Sequence, residues 1–267
     1  MILLDGPIGT ELLARGVPTP IPLWSAWALK HRPEVVAQIH ADYAAAGATV
    51  HTANTFRTKA RQTPEWEDLA RTAVGLCRDA VPSTHRVAGS VAPLEDCYRP
   101  DLSPPGAAIE HRALIEVLVD AGVDLVLCET FPHVGEGLGA VEQAVATGVE
   151  TWASFTAGPD TELLTPAEIG DACLRARDLG ASAVLVNCIP ASQTLRYVSA
   201  IARVGLPFGA YANAGHVDEA MGWAPAPQGP ELYAELAETW VAEGASILGA
   251  CCGTGPRHVA ALAGRLG

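Results

Sequence analysis

The chain alternates short apolar runs with longer segments that carry helix signals, and this alternation occurs eight times. The runs are almost continuously apolar and rich in Val, Leu, Ile and Ala. Runs of this kind are typical of parallel strands that are covered on both faces. The predicted strands are 2–4, 48–52, 86–91, 124–128, 150–156, 183–188, 207–211 and 246–249.

The segments between these runs are predicted helices, and some contain clear start or stop signals. Pro33 stands in the first turn of one helix, and Gly47 ends it. Thr165 and Glu168 have the spacing of a capping box at the start of another. The predicted helices are 33–46, 64–80, 107–121, 134–147, 166–179, 192–204, 231–243 and 256–266.

Eight strand–helix units predict an α/β fold of the (β/α)8 TIM-barrel type. The chain has 267 residues, and such a barrel typically takes about 250. Because no linker or low-complexity segment divides the chain, we expect a single domain over residues 1–267. The alternative is a doubly wound open sheet. It would require a phosphate-binding glycine loop after an early strand, and the sequence offers no convincing one.

The charge and cysteine content narrow the class of protein. The formal net charge is −13 without a basic cluster, which argues against binding to nucleic acid or to anionic membranes. Seven scattered cysteines, an odd number, do not form a disulfide framework and favour a reducing compartment. Since the first strand begins at Ile2 and no apolar run has membrane length, we expect a cytoplasmic protein.

Polar residues follow most of the apolar runs, at the point where each predicted strand ends. In a barrel, the carboxyl ends of the strands share one face, and that face carries the active site. We therefore expect these residues to surround one site. They are Asp5-Gly6, Thr52–Asn54, Ser90, Glu129, Cys188, Asn213 and Cys251-Cys252.

Two adjacent cysteines at the end of the last strand indicate a metal site. A disulfide between sequence neighbours is strained, so Cys251 and Cys252 suit a soft metal ion better. Zinc requires further ligands, and Cys188 at the end of the sixth strand is the best candidate for the third. We expect zinc on these three cysteines, with a fourth position open for a substrate thiol. The other cysteines, Cys77, Cys97, Cys128 and Cys173, are predicted to be buried apolar residues.

An all-sulfur zinc site favours one type of chemistry. Three thiolates give the centre a net negative charge, which makes it a poor Lewis acid for carbonyl groups. It instead lowers the pKa of a bound thiol and keeps the sulfur nucleophilic. The expected reaction is attack of that sulfur on an electrophilic methyl group, with no catalytic residue beyond the metal-activated thiol. The alternatives are a non-enzymatic zinc-binding barrel and a metal-free enzyme with a cysteine nucleophile.

Three segments resemble the homocysteine S-methyltransferase family, the zinc enzymes that make methionine. Residues 249–254 are similar to its Gly-Gly-Cys-Cys-Gly/Arg-Thr signature, with Ala250 at the second glycine. Residues 186–188 match its Val-Asn-Cys, and residues 5–12 resemble its amino-terminal Asp-Gly-Gly/Ala-x-Gly-Thr-Glu-Leu. The resemblance covers almost the whole chain. It implies the barrel fold and zinc ligation by Cys188, Cys251 and Cys252.

The same resemblance implies roles for residues at the substrate site. Glu129 would bind the amino group of homocysteine, and a carboxylate is a natural partner for an ammonium. Asp5 and the segment from Gly6 to Thr10 would bind the amino-acid end and shape the pocket. Pro7 has no N–H to donate to a substrate carboxylate. Weaker matches add Asn54 and Asn213 to the predicted substrate contacts.

The methyl donor is less strongly defined by the sequence. Residues 23–26, followed by Pro33-Glu34 and a helix, resemble the members that use S-methylmethionine. Trp24 and Trp27 could offer an aromatic face to a cationic methyl donor, and Trp223 is a further candidate. We therefore expect a sulfonium donor, S-methylmethionine or S-adenosylmethionine, with betaine as the alternative. The expected partners are these small molecules, and the sequence leaves open whether the protein is a homo-oligomer.

Overall fold

The computed structural model describes residues 1–224 and 226–266, so Pro225 and Gly267 of the predicted domain lie outside the described residues. Eight strands form one parallel sheet, in the order β1-β8-β7-β6-β5-β4-β3-β2. A bridge between Leu4 and Val50 connects β1 with β2 and closes the ring. The predicted single-domain (β/α)8 barrel is confirmed. The strands are β1 Ile2–Leu3, β2 Val50–Ala53, β3 Arg86–Val91, β4 Leu125–Phe131, β5 Glu150–Phe155, β6 Ala183–Pro190, β7 Phe208–Asn213 and β8 Ile247–Ala250.

Helices follow the strands and cover the outside of the barrel. Each predicted helix is present within a few residues, and Thr165 and Glu168 form the predicted capping box at the start of α7. None of the described helices has the length and apolar character needed to cross a membrane. The helices are α1 Ile8–Ala14, α2 Trp27–His31, α3 Pro33–Ala45, α4 Trp66–Ala80, α5 Ala107–Asp120, α6 Val134–Val145, α7 Pro166–Leu179, α8 Ala191–Ile201, α9 Gly229–Ala242 and α10 Pro256–Leu266.

Two helices, α1 and α2, were not predicted, and both lie between β1 and β2. They have only 7 and 5 residues, and neither has a side-chain hydrogen bond at its amino-terminal cap. A helix this short shows little periodicity in the sequence and is marginal in isolation. Packing stabilises them instead, since Leu12 of α1 is fully buried and Leu29 of α2 is nearly so.

The barrel has two apolar layers, and strand alternation decides which side chains enter each. Leu125 and Leu127 of β4 belong to the cluster inside the barrel, whereas Val126 and Cys128 pack between sheet and helices. Continuing this alternation directs Glu129, the next residue of β4, towards the barrel axis. Glu129, a predicted site residue, therefore points towards the site because of its position in a buried strand.

Candidate metal centre and substrate cavity

Three cysteine side chains meet at the carboxyl ends of β6 and β8. Cys188 lies near the end of β6, and Cys251 and Cys252 directly follow β8. Their Sγ atoms all lie within 4.8 Å of one another, and Sγ of Cys188 is 3.7 Å from Sγ of Cys252. Sulfurs bound to a tetrahedral zinc at about 2.3 Å would lie about 3.8 Å apart. The donor type and the spacing both fit zinc.

The strand β7 lies between β6 and β8 and ties the two cysteine segments together. The N–H of Cys251 donates to the carbonyl oxygen of Ala212 at 2.8 Å. The side-chain amide of Asn213 donates to the carbonyl oxygen of Cys188 at 3.0 Å and accepts from the N–H of Gly215 at 2.8 Å. Both polar atoms of Asn213 are thus occupied by main chain. Asn213 therefore supports the position of Cys188, and its predicted contact with substrate stays a prediction.

The three thiols influence one another strongly because they are close and shielded from water. Hydrogen bonds from Cys188 and Cys251 lower the pKa of Cys252 well below its usual value. Hydrogen bonds with Cys188 and Cys252 raise the pKa of Cys251, since a thiol beside a thiolate resists ionisation. A divalent cation would favour the ionised form of all three sulfurs. The cluster therefore has the electrostatics of a metal centre.

The cysteines form part of the wall of a cavity of about 350 Å³ at the carboxyl end of the barrel. Other predicted site residues line the same cavity, namely Asp5, Gly6, Trp24, Asn54 and Glu129. Thr10 does not belong to this group, because α1 carries it to a neighbouring cavity beside the start of α10. The tertiary structure thus brings together the cysteines and most of the predicted substrate contacts.

Glu129 is a buried carboxylate with two hydroxyl donors. Ser90 Oγ donates to Oε1, and the phenol of Tyr211 donates to Oε2 at 3.0 Å. Burial raises the pKa of Glu129 to about 7, while the two hydrogen bonds act in the opposite direction. A carboxylate that is held in place and forms no ion pair among the described residues is well suited to bind an ammonium group.

Asp5 is the second carboxylate at the cavity. It is 3% exposed, and its Oδ2 accepts a hydrogen bond from the N–H of Thr52 at 2.9 Å. Burial raises its pKa well above the usual value, and the nearby charge of Glu129 adds to the effect. Asp5 and Glu129 are therefore the two buried carboxylates among the described residues that line the cavity, and a cationic ligand would stabilise both ionised forms.

Asn54 lines the cavity, but its side-chain amide forms hydrogen bonds with the loop before α2. Its Oδ1 accepts from Ser25 Oγ at 2.7 Å, and its Nδ2 donates to the carbonyl oxygen of Ser25 at 3.0 Å. These bonds hold the loop that carries Trp24 over the cavity. The structure thus gives Asn54 a scaffolding contact, and its predicted contact with substrate stays a prediction.

Trp24 is the tryptophan of the cavity wall. It meets Phe56 edge to face with ring centroids 5.8 Å apart. Gly9 permits this position, because a Cβ there would overlap the indole ring. Trp27 stacks on His31 instead, and Trp223 is 45% exposed in a neighbouring loop. Neither of these two is among the described residues that line the cavity.

Two further cavity residues were not predicted from the sequence. Arg57 lines the cavity with its Nε buried and without a hydrogen-bond partner among the described residues. Tyr98 lies in the loop after β3, and the charge of Cys188 raises the pKa of its phenol. Neither residue belongs to a predicted strand end, so only their place in the cavity wall identifies them.

The family is established by comparison with known proteins. The model of the homocysteine S-methyltransferase family matches residues 2–266. The chain belongs to this family. It is 32% identical over 294 aligned positions to a homocysteine S-methyltransferase of Escherichia coli, covering 99% of this chain and 95% of that protein. It is 29% identical over 299 positions to homocysteine S-methyltransferase 1 of Zea mays, covering 97% and 92%.

Solved structures agree with this assignment. The metallated form of the homocysteine methyltransferase MmuM from Escherichia coli superposes with a TM-score of 0.84 at 28% identity. It covers 99% of this chain and 96% of that one. The expectations of a methyltransferase and of this family are therefore confirmed. The cysteine cluster occurs in a family with a metal-bound member.

Proposed function

We propose that the protein transfers a methyl group from a sulfonium donor to the thiol of L-homocysteine and yields methionine, with zinc bound by Cys188, Cys251 and Cys252. The observation that carries this proposal is the meeting of three cysteine sulfurs, all within 4.8 Å of one another, in the wall of a cavity that two buried carboxylates also line. The proposal assigns homocysteine binding to the whole barrel domain, residues 1–267.

Zinc on three thiolates would lower the pKa of the homocysteine thiol and leave its sulfur nucleophilic at neutral pH. The substrate sulfur then forms a bond to the methyl carbon, and the bond from that carbon to the donor sulfur breaks. The thiol proton passes to solvent, and the donor leaves as a neutral thioether. The charges balance without a protein acid or base at the reacting atoms.

The residues of the chain bind and orient the two substrates. Glu129, held by Ser90 and Tyr211, accepts the ammonium group of homocysteine. Asp5 places a second buried carboxylate in the same cavity. Arg57 supplies the one cavity guanidinium among the described residues, and its unpartnered Nε suits a substrate carboxylate. Substrate held in this way needs little further ordering before reaction.

Two features of the cavity suit a cationic methyl donor that carries a carboxylate, a description that covers S-methylmethionine and betaine alike. The aromatic pair of Trp24 and Phe56 offers a π surface to a methyl group that carries positive charge. Arg57 offers a carboxylate partner to a donor that is itself an amino acid. The choice of a sulfonium donor rests on the resemblance of residues 23–26 to the members that use S-methylmethionine. The cavity of about 350 Å³ is at the small end of ligand sites, which span about 300–1,000 Å³, and this favours S-methylmethionine over the larger S-adenosylmethionine.

The test is an assay of methionine formation by zinc-loaded protein with homocysteine and one donor at a time. We expect turnover with S-methylmethionine, slower turnover with S-adenosylmethionine and little with betaine. Turnover with betaine alone would contradict the choice of donor. Zinc retained by the three cysteines with no turnover for any donor would support the non-enzymatic alternative.

Chelation separates the remaining alternative, a metal-free enzyme with a cysteine nucleophile. We expect removal of zinc to abolish methyl transfer and readdition of zinc to restore it. Full activity of zinc-free protein would contradict the proposal. The seven cysteines are all free thiols, which supports the proposal of a cytoplasmic, reducing setting.

A further inference from the structure

A second group of metal-binding side chains lies behind the cavity, between the sheet and α3. It contains Asp5 after β1, His51 in β2 and His40 in α3. Their candidate ligand atoms all lie within 4.8 Å of one another. Asp5 Oδ2 is 3.9 Å from Nδ1 of His40. The cluster shares no residue with the three cysteines.

The histidines of this cluster have buried nitrogens without partners. His40 is 0% exposed, and neither of its ring nitrogens has a hydrogen-bond partner among the described residues. His51 is also 0% exposed, and its Nδ1 has no hydrogen-bond partner among the described residues. Leaving a buried polar group unsatisfied costs about 1–3 kcal/mol. Three such nitrogens beside one carboxylate indicate a shared ligand that the polypeptide does not supply.

A third histidine orients His51 towards the cluster. Nε2 of His51 is 3.0 Å from Nδ1 of His85, and the two rings are nearly parallel. A proton on Nε2 that is donated to His85 leaves the lone pair of His51 on Nδ1, which is the nitrogen of the cluster. Histidines that bind metals usually donate their other ring N–H to a neighbouring acceptor in this way.

Charge also favours a cation at this place. Asp5 is buried, and the polar contacts of its carboxylate include the N–H and the side chain of Thr52 and the imidazole of His40. No Lys or Arg of the described chain forms an ion pair with Asp5, although such pairs occur elsewhere on the molecule. A divalent cation would compensate the buried carboxylate and satisfy the imidazole nitrogens together.

We propose that Asp5 Oδ2, a ring nitrogen of His40 and Nδ1 of His51 bind a divalent transition-metal ion such as Zn²⁺ or Co²⁺. Two imidazoles and a carboxylate are a common ligand set for these ions. Ligand atoms at about 2.1 Å from the ion would lie about 3.4 Å apart. Asp5 Oδ2 and Nδ1 of His40, which are 3.9 Å apart, would approach one another by about half an ångström. The imidazole can move because no hydrogen bond to the described residues holds it.

The metal would connect α3 to β1 and β2 behind the wall of the cavity. It would also fix Oδ2 of Asp5, whose side chain lines the cavity on the other side. The site is thus structural, and it does not depend on the proposed methyl transfer. Its failure and the failure of that activity are distinguishable, because metal binding is measured without substrate.

The experiment removes the cysteine site and counts the metal that remains. The triple variant Cys188→Ala/Cys251→Ala/Cys252→Ala is incubated with Co²⁺, dialysed and analysed for metal and visible absorption. We expect one equivalent of Co²⁺ with the spectrum of nitrogen and oxygen ligands and without thiolate-to-cobalt charge-transfer bands. Less than a tenth of an equivalent would overturn the proposal, and so would a thiolate spectrum.

Variants in the triple background then locate the ion. We expect His40→Asn and His51→Asn each to weaken Co²⁺ binding at least tenfold. His258→Asn is the matched control, because His258 is buried but both its ring nitrogens have partners in the chain. Unchanged Co²⁺ binding in both variants would overturn the proposal.

A measurement on the unmodified protein keeps the test decisive if a variant fails to fold. The unmodified protein should bind two equivalents of zinc, and an organomercurial that blocks thiols should release only one. If the triple variant folds, Co²⁺ should raise its Tm in proportion to occupancy. One zinc per chain that thiol blockage removes completely would overturn the proposal.

Discussion

The side chain of Asn187 forms two hydrogen bonds with Thr130 across the barrel, and each residue adjoins a predicted site residue. Nδ2 of Asn187 donates to Oγ1 of Thr130 at 2.7 Å, and Oδ1 accepts from the Thr130 N–H at 3.0 Å. Thr130 follows Glu129, and Asn187 precedes Cys188. Thr130 and Cys188 have φ of 61° and 50°, a left-handed conformation that costs non-glycine residues about 1–2 kcal/mol. The amide therefore holds a strained main chain beside both groups.

Replacing Asn187 by Ala should affect stability and the metal centre together. The change leaves the N–H of Thr130 and the hydroxyl of Ser154 without their buried partner. We expect a loss of about 2–4 kcal/mol in the free energy of unfolding, measured by urea denaturation, and weaker zinc retention on dialysis. A variant with wild-type stability and zinc content would contradict the role given to Asn187.

Each cysteine of the cluster should be required for metal and for activity. We expect Cys188→Ala, Cys251→Ala and Cys252→Ala each to lose most of the zinc of the cysteine site and to reduce methyl transfer at least 100-fold, because two sulfurs do not complete a zinc site. Cys173→Ala is the control, since Cys173 is buried in α7 away from the cavity. It should retain zinc and activity at a cost of about 1 kcal/mol in stability. Metal analysis and the methionine assay check both results.

Glu129 should make homocysteine binding depend on pH. Its pKa is raised to about 7 by burial, so in the free protein it is neutral below that pH and ionised above it. We expect the KM for homocysteine to rise as the pH falls below 7 and to be nearly constant above it. Glu129→Gln should raise the KM about 10- to 100-fold and remove this pH dependence. An unchanged KM profile in the variant would contradict binding of the ammonium by Glu129.

The same carboxylate should reduce stability at high pH. Its pKa in the folded protein exceeds the unfolded value of 4.5, so the folded state binds more protons between these values. Stability without ligand is then greatest below the unfolded pKa and falls as the pH rises through about 7. At pH 8 we expect substrate-free Glu129→Gln to be more stable than wild type, by up to about 3 kcal/mol. Thermal unfolding at pH 5 and pH 8 measures the difference.

Trp24 should affect the donor more than the acceptor. We expect Trp24→Leu to raise the KM for S-methylmethionine about 5- to 30-fold, the value of a desolvated cation–π contact, with a small effect on homocysteine. Trp27→Leu is the matched control, because Trp27 stacks on His31 and does not line the cavity. Equal effects of the two changes on the donor KM would show that Trp24 acts through loop packing alone.

The elements predicted best from the sequence are those with a local physical cause. The capping box of Thr165 and Glu168 involves residues three apart, and it marks the start of α7 correctly. The helices α1 and α2 have no such local signal, because they are short and are stabilised by contacts of Leu12 and Leu29 with distant residues. Local chemistry predicts an element only when that element is stable largely through its own residues.

The predicted site residues divide in the same way. Glu129 and the cysteines face the cavity because they lie at ends of buried parallel strands, which is a property of register. The direction of a polar side chain such as an asparagine depends instead on which hydrogen-bond partner the folded chain places beside it. Asn54 forms hydrogen bonds with Ser25, and Asn213 forms one with Cys188; each partner is more than twenty residues away along the chain.

The sequence by itself determined the eight strand–helix units, the barrel and the cysteines that end two of its strands. Apolar runs and strand ends can be identified in the sequence, and parallel strands of a barrel bring their carboxyl ends together on one face. Only the tertiary structure decided that Thr10 lies at another cavity, that Arg57 and Tyr98 join the site, and that His40 meets His51 and Asp5. Those contacts join distant segments whose side-chain directions are set by packing, and packing exists only once the chain has folded.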